Sequence, residues 1–191
     1  MEMSGRIWVI SDLHFHHANM VRGGRIGIRS QFANVEQMNG YIVEAINQTV
    51  ADHDKLYVLG DVTLQRGADE TRLNIVRQLK GHKRLVLGNH DHFPVDAYLR
   101  AGFEKVMAYR EIAGVLFSHI PCHPSQFYRF KGNVHGHTHT AFVRQGPDIQ
   151  PPDTNWRLDG RYLNVCVEAV NYVPVALDEI VARFNRPKED R

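Results

Sequence analysis

Five short clusters of metal-type side chains recur along the chain: Asp12-Leu-His14, Gly60-Asp61, Gly88-Asn-His-Asp91, Ser118-His119 and Gly136-His-Thr-His139. They offer imidazole nitrogens with carboxylate and amide oxygens and no thiolate. That donor set suits borderline divalent metals rather than Ca²⁺ or a structural zinc. On an extended strand end side chains alternate with period two, so Asp12 and His14 should share a side and grip one ion. His137 and His139 repeat the device, although a turn there would send the two rings to different ions. With Asp61 in reach of both clusters as a bridging carboxylate, the economical arrangement is two metals about 3.5–4 Å apart. Gly60, Gly88 and Gly136 fit this picture because glycine permits tight turns and close backbone approach.

The elements that must position these residues are legible as patterns. Residues 6–11, 55–60 and 84–88 are short apolar runs, too short for helices, and read as buried strands. Between them, Val35, Met38, Ile42, Ala45, Ile46 and Val50 follow a helical stripe, with Asn34 as N-cap and Gln37 completing a capping box. Leu73, Val76 and Leu79 repeat the stripe, with Gly81 where a C-terminal cap belongs. This alternation predicts an α/β layered architecture. After residue 100, strands at 103–107, 111–118, 132–135 and 161–170 with one helix at 177–184 suggest a second sheet packed on the first. Ligands in layered α/β proteins bind at the carboxyl ends of strands, so five such ends converge on one crevice. Residues 22–29 and 145–160 read as surface loops, and residues 1–191 as a single domain.

Composition narrows the class. The chain has 191 residues, 43% hydrophobic and 23% charged, which disfavours disordered and fibrous classes. A net charge of +2 gives no strong field for polyanions. Twelve histidines stand against two cysteines, Cys122 and Cys166, which lack CxxC spacing and read as free, buried small hydrophobes. No segment has the length of a signal peptide's apolar core or of a membrane span, so a soluble, cytoplasmic protein is expected.

The five clusters, in this order, resemble the signature of the calcineurin-like metallophosphoesterases: D-x-H, G-D, G-N-H-[DE], H and G-H-x-H. The resemblance covers roughly residues 6–180. The segment from Leu163 through Glu168 to Ile180 looks like the end of a small bacterial and phage branch. It implies a four-layer α/β/β/α sandwich of two mixed β-sheets. It also implies that Asp12, His14 and His139 hold one metal, that Asn89, His119 and His137 hold the second, and that Asp61 bridges. His90 would sit beside the substrate phosphate as general acid or charge stabiliser, oriented by Asp91. The expected activity is hydrolysis of phosphodiesters in small or nucleotide-like substrates by a hydroxide held between two divalent ions. Mn²⁺ is the first choice, with Fe, Zn, Ni or Mg as alternatives. A phosphomonoesterase, or a non-catalytic scaffold of the same fold, is the rival reading. A long nucleic acid is disfavoured though not excluded, because the chain lacks room for a large capping domain; oligomeric state stays open.

Around these ligands, Arg22, Arg25 and Arg29 lie in a glycine-rich loop that could clamp a phosphate. His16, His92, His123 and His135 are candidates for substrate contact or ligand support, with packing as the alternative. His17, His53 and His82 are read as surface residues. Phe127-Tyr-Arg-Phe130 could stack a nucleobase, but packing is the preferred reading.

Overall fold

The computed structural model describes residues 5–64, 69–145 and 157–186. The first sheet contains β1 (Ile7–Ile10), β2 (Lys55–Val58), β3 (His82–Val86), β4 (Phe103–Met107) and a short edge strand, β9 (Val175–Ala176). Its order is β4-β3-β2-β1-β9, parallel throughout except for the antiparallel β9. The second sheet is β5 (Arg110–Ile112), β6 (Val115–Phe117), β7 (Gly132–His135) and β8 (Tyr162–Asn164), with only β5 antiparallel.

Period-two alternation divides each central strand between two cores. Trp8, Ile10, Leu56 and Val58 face a helical layer made of α1 (Val35–Thr49), a 3₁₀ helix at Glu70–Gln78 and α2 (Val95–Ala101). Val9, Tyr57 and Leu59 point the other way, against Phe117 and Val134 of the second sheet and against Ile180 and Phe184 of α3 (Leu177–Asn185). On the far side of the second sheet, the 3₁₀ turn Pro124–Tyr128 lays Phe127 edge-on to Tyr162, ring centroids 5.0 Å apart. The result is an α/β/β/α sandwich of two mixed sheets with a thin fourth layer. Of the run Phe127–Phe130, Phe130 is buried and Phe127 half-buried against Tyr162 and the Arg161 guanidinium, whereas Tyr128 is exposed, so packing describes the two phenylalanines and not Tyr128.

Local chemistry explains most element ends. Asn34 caps α1 by accepting the Gln37 N–H at 2.8 Å, and Gln37 reaches back to the Ala33 N–H at 2.7 Å. The stripe at 73–79 forms a 3₁₀ helix instead of an α-helix and ends at Leu79, while Gly81 (φ 81°) turns the chain into β3. Residues 111–118 are not one strand: Ala113 and Gly114, at φ 53° and 78°, fold them into the β5–β6 hairpin. The run 161–170 pairs as a strand over β8, makes a single parallel bridge from Cys166 to Ser11 and then turns. α2 carries too few apolar positions to show a period, yet it buries Ala97, Tyr98 and Ala101 and stops at Gly102, φ 112°. Loop 22–29 is tied by a bridge between Val21 and Arg29. Of loop 145–160, residues 146–156 lie outside the described residues. Among the described residues no helix is long and apolar enough to cross a membrane.

Candidate metal centre

The five clusters do meet at the carboxyl ends of β1, β2, β3, β6 and β7, but not on extended chain. Asp12, His14, Asp61, His137 and His139 have φ of 60°, 47°, 54°, 68° and 50°, left-handed backbone that non-glycine residues rarely adopt. Such strain concentrates where a site over-determines the chain. Asp12 and His14 therefore converge through a tight turn and not through strand alternation. Backbone bonds zip that turn to its neighbour: Asp12 N–H donates to Gly60 O (3.1 Å) and His14 N–H to Asp61 O (2.9 Å). A Cβ on Gly136 would collide with the Ser11 hydroxyl and the Asp12 carboxylate, and one on Gly60 would come within 2.6 Å of Gly88 Cα.

The ligand atoms fall into two groups, each within 4.8 Å: Asp12, His14 and His139, and Asp61, His119 and His137. The His137-x-His139 turn does split its rings between the two. Asp61 spans them, with Oδ2 3.5 Å from His14 Nε2 and Oδ1 3.5 Å from His119 Nε2. Asn89 joins the second group through Oδ1, 2.7 Å from His119 Nε2.

Donor bookkeeping shows that these residues fit divalent ions. Asp12 Oδ2 accepts from the His137 N–H (2.9 Å) and the Cys166 thiol (3.2 Å) and lies 2.6 Å from the Ser11 hydroxyl, whose single proton it shares with Leu59 O. Asp12 Oδ1 and both His14 ring nitrogens are buried without any hydrogen-bond partner. Buried polar atoms left bare are costly unless something such as a cation completes them. His119 Nδ1–H donates to Leu59 O (2.8 Å), which turns the Nε2 lone pair toward Asn89 Oδ1. A cation shared by both atoms resolves that opposition. Protonation states agree with ligation. Burial acts to raise Asp12, but the nearby His14 ring, its Nε2 3.8 Å from Oδ1, with the field of His119 and the Ser11 hydroxyl, outweighs it and holds the carboxyl well below its usual range. Burial holds the His14 imidazole down at about 4, so it is neutral near pH 7. Burial raises Asp61, partly offset by His119 and the His90 N–H.

A family model described as calcineurin-like phosphoesterase matches residues 5–178. The chain belongs to the calcineurin-like phosphoesterase family. It is 32% identical over 184 residues to the uncharacterized protein MJ1445 of Methanocaldococcus jannaschii, spanning 96% of this chain and 93% of that protein. It is 29% identical to the Gene 66 protein of Mycobacterium phage L5, over 71% of this chain and 78% of the relative. Among solved structures, the Aquifex aeolicus protein of unknown function AQ665 superposes with TM-score 0.65 at 26% identity, covering 92% of this chain and 97% of that one. With the two ligand groups, membership makes the protein a metal-dependent phosphoesterase.

Several residues of this phosphoesterase sit differently from expectation. Asp91 does not serve the His90 ring: its oxygens accept the backbone N–H groups of Asp61 (2.9 Å), Gly88 (2.8 Å) and Val62 (3.0 Å), locking two ligand-bearing turns together. His90 is held by its own backbone, whose N–H donates to Asp61 Oδ1 at 2.9 Å. Arg22 and Arg25 are exposed, Arg22 donating to Ser30 O, whereas Arg29 is fully buried and is no phosphate clamp. His16 spends its ring on Asn39 (3.1 Å) and the Arg72 backbone, and His123 caps the 3₁₀ turn through Ser125. His135 is buried and donates to Gly136 O, while His92 is exposed, edge-on to His90 at 6.2 Å. His17, expected at the surface, is 6% exposed with its ring 5.4 Å from that of His14, and both its nitrogens are buried without partners. His53 and His82 are exposed, as expected. Cys166 is buried but bonds Asp12, and Cys122 is half-buried. Sequence reasoning missed Glu168, which bonds His139; an acidic residue after an apolar run carried no signal by itself.

Proposed function

We propose that the protein hydrolyses phosphodiester bonds of small, nucleotide-like molecules with two divalent ions, Mn²⁺ first among them, and that His90 serves the reacting phosphate. The observation that carries this reading is Asp61, one carboxylate with an oxygen toward each three-residue group. Such ions, when bound, supply neutralisation of phosphate charge and a water acidic enough to attack near neutral pH. Asp12, His14 and His139 would hold one, Asn89, His119 and His137 the other.

The chain's own groups do the rest. Asn89 and His137 are exposed and His90 is half-buried, so the rim beside the second group is open to a substrate phosphate. Burial, then the neighbouring His92 and His119, lowers the His90 imidazole. A neutral ring near pH 7 acts by donating an N–H hydrogen bond to a phosphoryl or leaving oxygen, where charge grows in the transition state. Arg25 and His123, both exposed, remain the candidates for outer contacts with substrate, together with the exposed Arg22. A reducing, cytoplasmic setting belongs to this reading, in keeping with two free cysteines.

A metal-by-substrate screen tests it. Phosphodiesters, including 2′,3′-cyclic nucleotides, should be cleaved faster than phosphomonoesters, with Mn²⁺ most active. Preference for monoesters would reverse the substrate assignment. Protein that takes up no transition metal would establish the scaffold alternative.

A further inference from the structure

Arg29 is among the largest fully buried side chains of the described residues and carries a charge that must be matched. Its Nε donates to Glu168 Oε1 at 2.8 Å, Nη1 to Leu13 O at 2.7 Å and Nη2 to Asp12 O at 2.5 Å. The same Glu168 oxygen lies 3.2 Å from His139 Nδ1. One guanidinium thus joins the turn that carries Asp12 and His14 to the carboxylate that faces His139, so that all three residues of the first group hang on a single buried ion pair. Nothing comparable links Arg29 or Glu168 to Asp61, His119 or His137 among the described contacts.

We infer that Arg29 and Glu168 are a positioning pair for the first metal half-site alone. Glu168 accepts the His139 Nδ1–H and leaves the Nε2 lone pair, 3.9 Å from Asp12 Oδ1, for the ion. Arg29 holds Glu168 in that place and fixes the Asp12–Leu13 carbonyls in the left-handed turn. This rests on the two-metal reading above, and its test separates the two. Glu168→Gln is the discriminating change, because an amide cannot accept from both Arg29 Nε and His139 Nδ1 with the charge the pair requires.

Mn²⁺ is titrated by calorimetry into metal-free protein in two backgrounds: His137→Ala, which keeps the first group, and His14→Ala, which keeps the second. Adding Glu168→Gln should weaken Mn²⁺ about 10–100-fold in the His137→Ala background and leave the His14→Ala background unchanged. Glu168→Asp should recover part of the loss. Equal weakening in both backgrounds, or none in the first, overturns the inference. If the parent binds no Mn²⁺ at all, the two-metal reading fails. The pair is then still decided by ¹⁵N NMR of the metal-free parent, where the His139 proton should reside on Nδ1. A ring carrying its proton on Nε2 refutes the assignment whether or not the variants fold.

Discussion

Asp91→Asn separates a turn-locking carboxylate from one that orients His90. The carboxylate accepts three backbone N–H groups, two on Oδ2 and one on Oδ1. Hydrogen bonds to a charged group contribute about 1.5–3 kcal/mol each, and neutral ones about 1. The least costly placement of asparagine keeps its carbonyl at the Oδ2 position and sets the amide N–H against the Val62 N–H. That loses about 2 kcal/mol there and about 1 kcal/mol more as the other two bonds lose their charge assistance, near 3 kcal/mol in total. For a domain of this length the fall in Tm is roughly 6–12 °C. Thermal unfolding of metal-free parent and variant measures it. Because the bonds from Asp61 and Gly88 hold the turns that carry Asp61 and Asn89, Mn²⁺ affinity should fall in the same variant. A Tm within about 2 °C of the parent with normal Mn²⁺ binding and a much reduced kcat would refute this reasoning and restore the His90-orienting role.

Other perturbations address separate parts of the centre. His90→Ala should keep fold and metal while kcat falls by about 10²–10³, the usual loss for one donor aimed at developing charge; full turnover on an unactivated substrate would contradict the role. Asp61→Ala should weaken both ions, read as two reduced affinities by calorimetry, because it presents an oxygen to each group. Gly136→Ala should cost about 1–3 kcal/mol in denaturant unfolding, since the added methyl meets the Ser11 hydroxyl and Asp12 carboxylate. Asp54 accepts from Arg6 N–H, Trp8 Nε1–H and Ala51 N–H; burial acts to raise it, but these bonds hold its carboxyl below the ordinary 3.8. The unfolded chain therefore binds that proton more tightly, and the stability Asp54 contributes is present above about pH 4 and lost as pH falls further. Asp54→Asn should flatten that acid limb.

What the sequence determined by itself was the donor set and its order. Residue type decides whether a side chain can bind a borderline metal, and the five motifs placed each donor directly after an apolar run, so the strand ends and the convergence of the candidate donors on one crevice were legible. The capped helix α1 and the change to a sheet-rich second half were legible for the same reason, since period and capping chemistry are local. Only tertiary structure decided the remainder. Whether His137 and His139 share an ion depends on left-handed turns that no spacing rule specifies. Whether Asp91 faces an imidazole or three backbone amides depends on how the β2 and β3 turns stack. His17 looked like a surface residue and Arg29 like a phosphate clamp because polarity is a poor guide where a charged cavity supplies the partners, and Glu168 was silent until folding brought a position 139 residues away onto Arg29. Long-range pairing of buried charges is set by the packing of two sheets, and a linear pattern of residues does not record it.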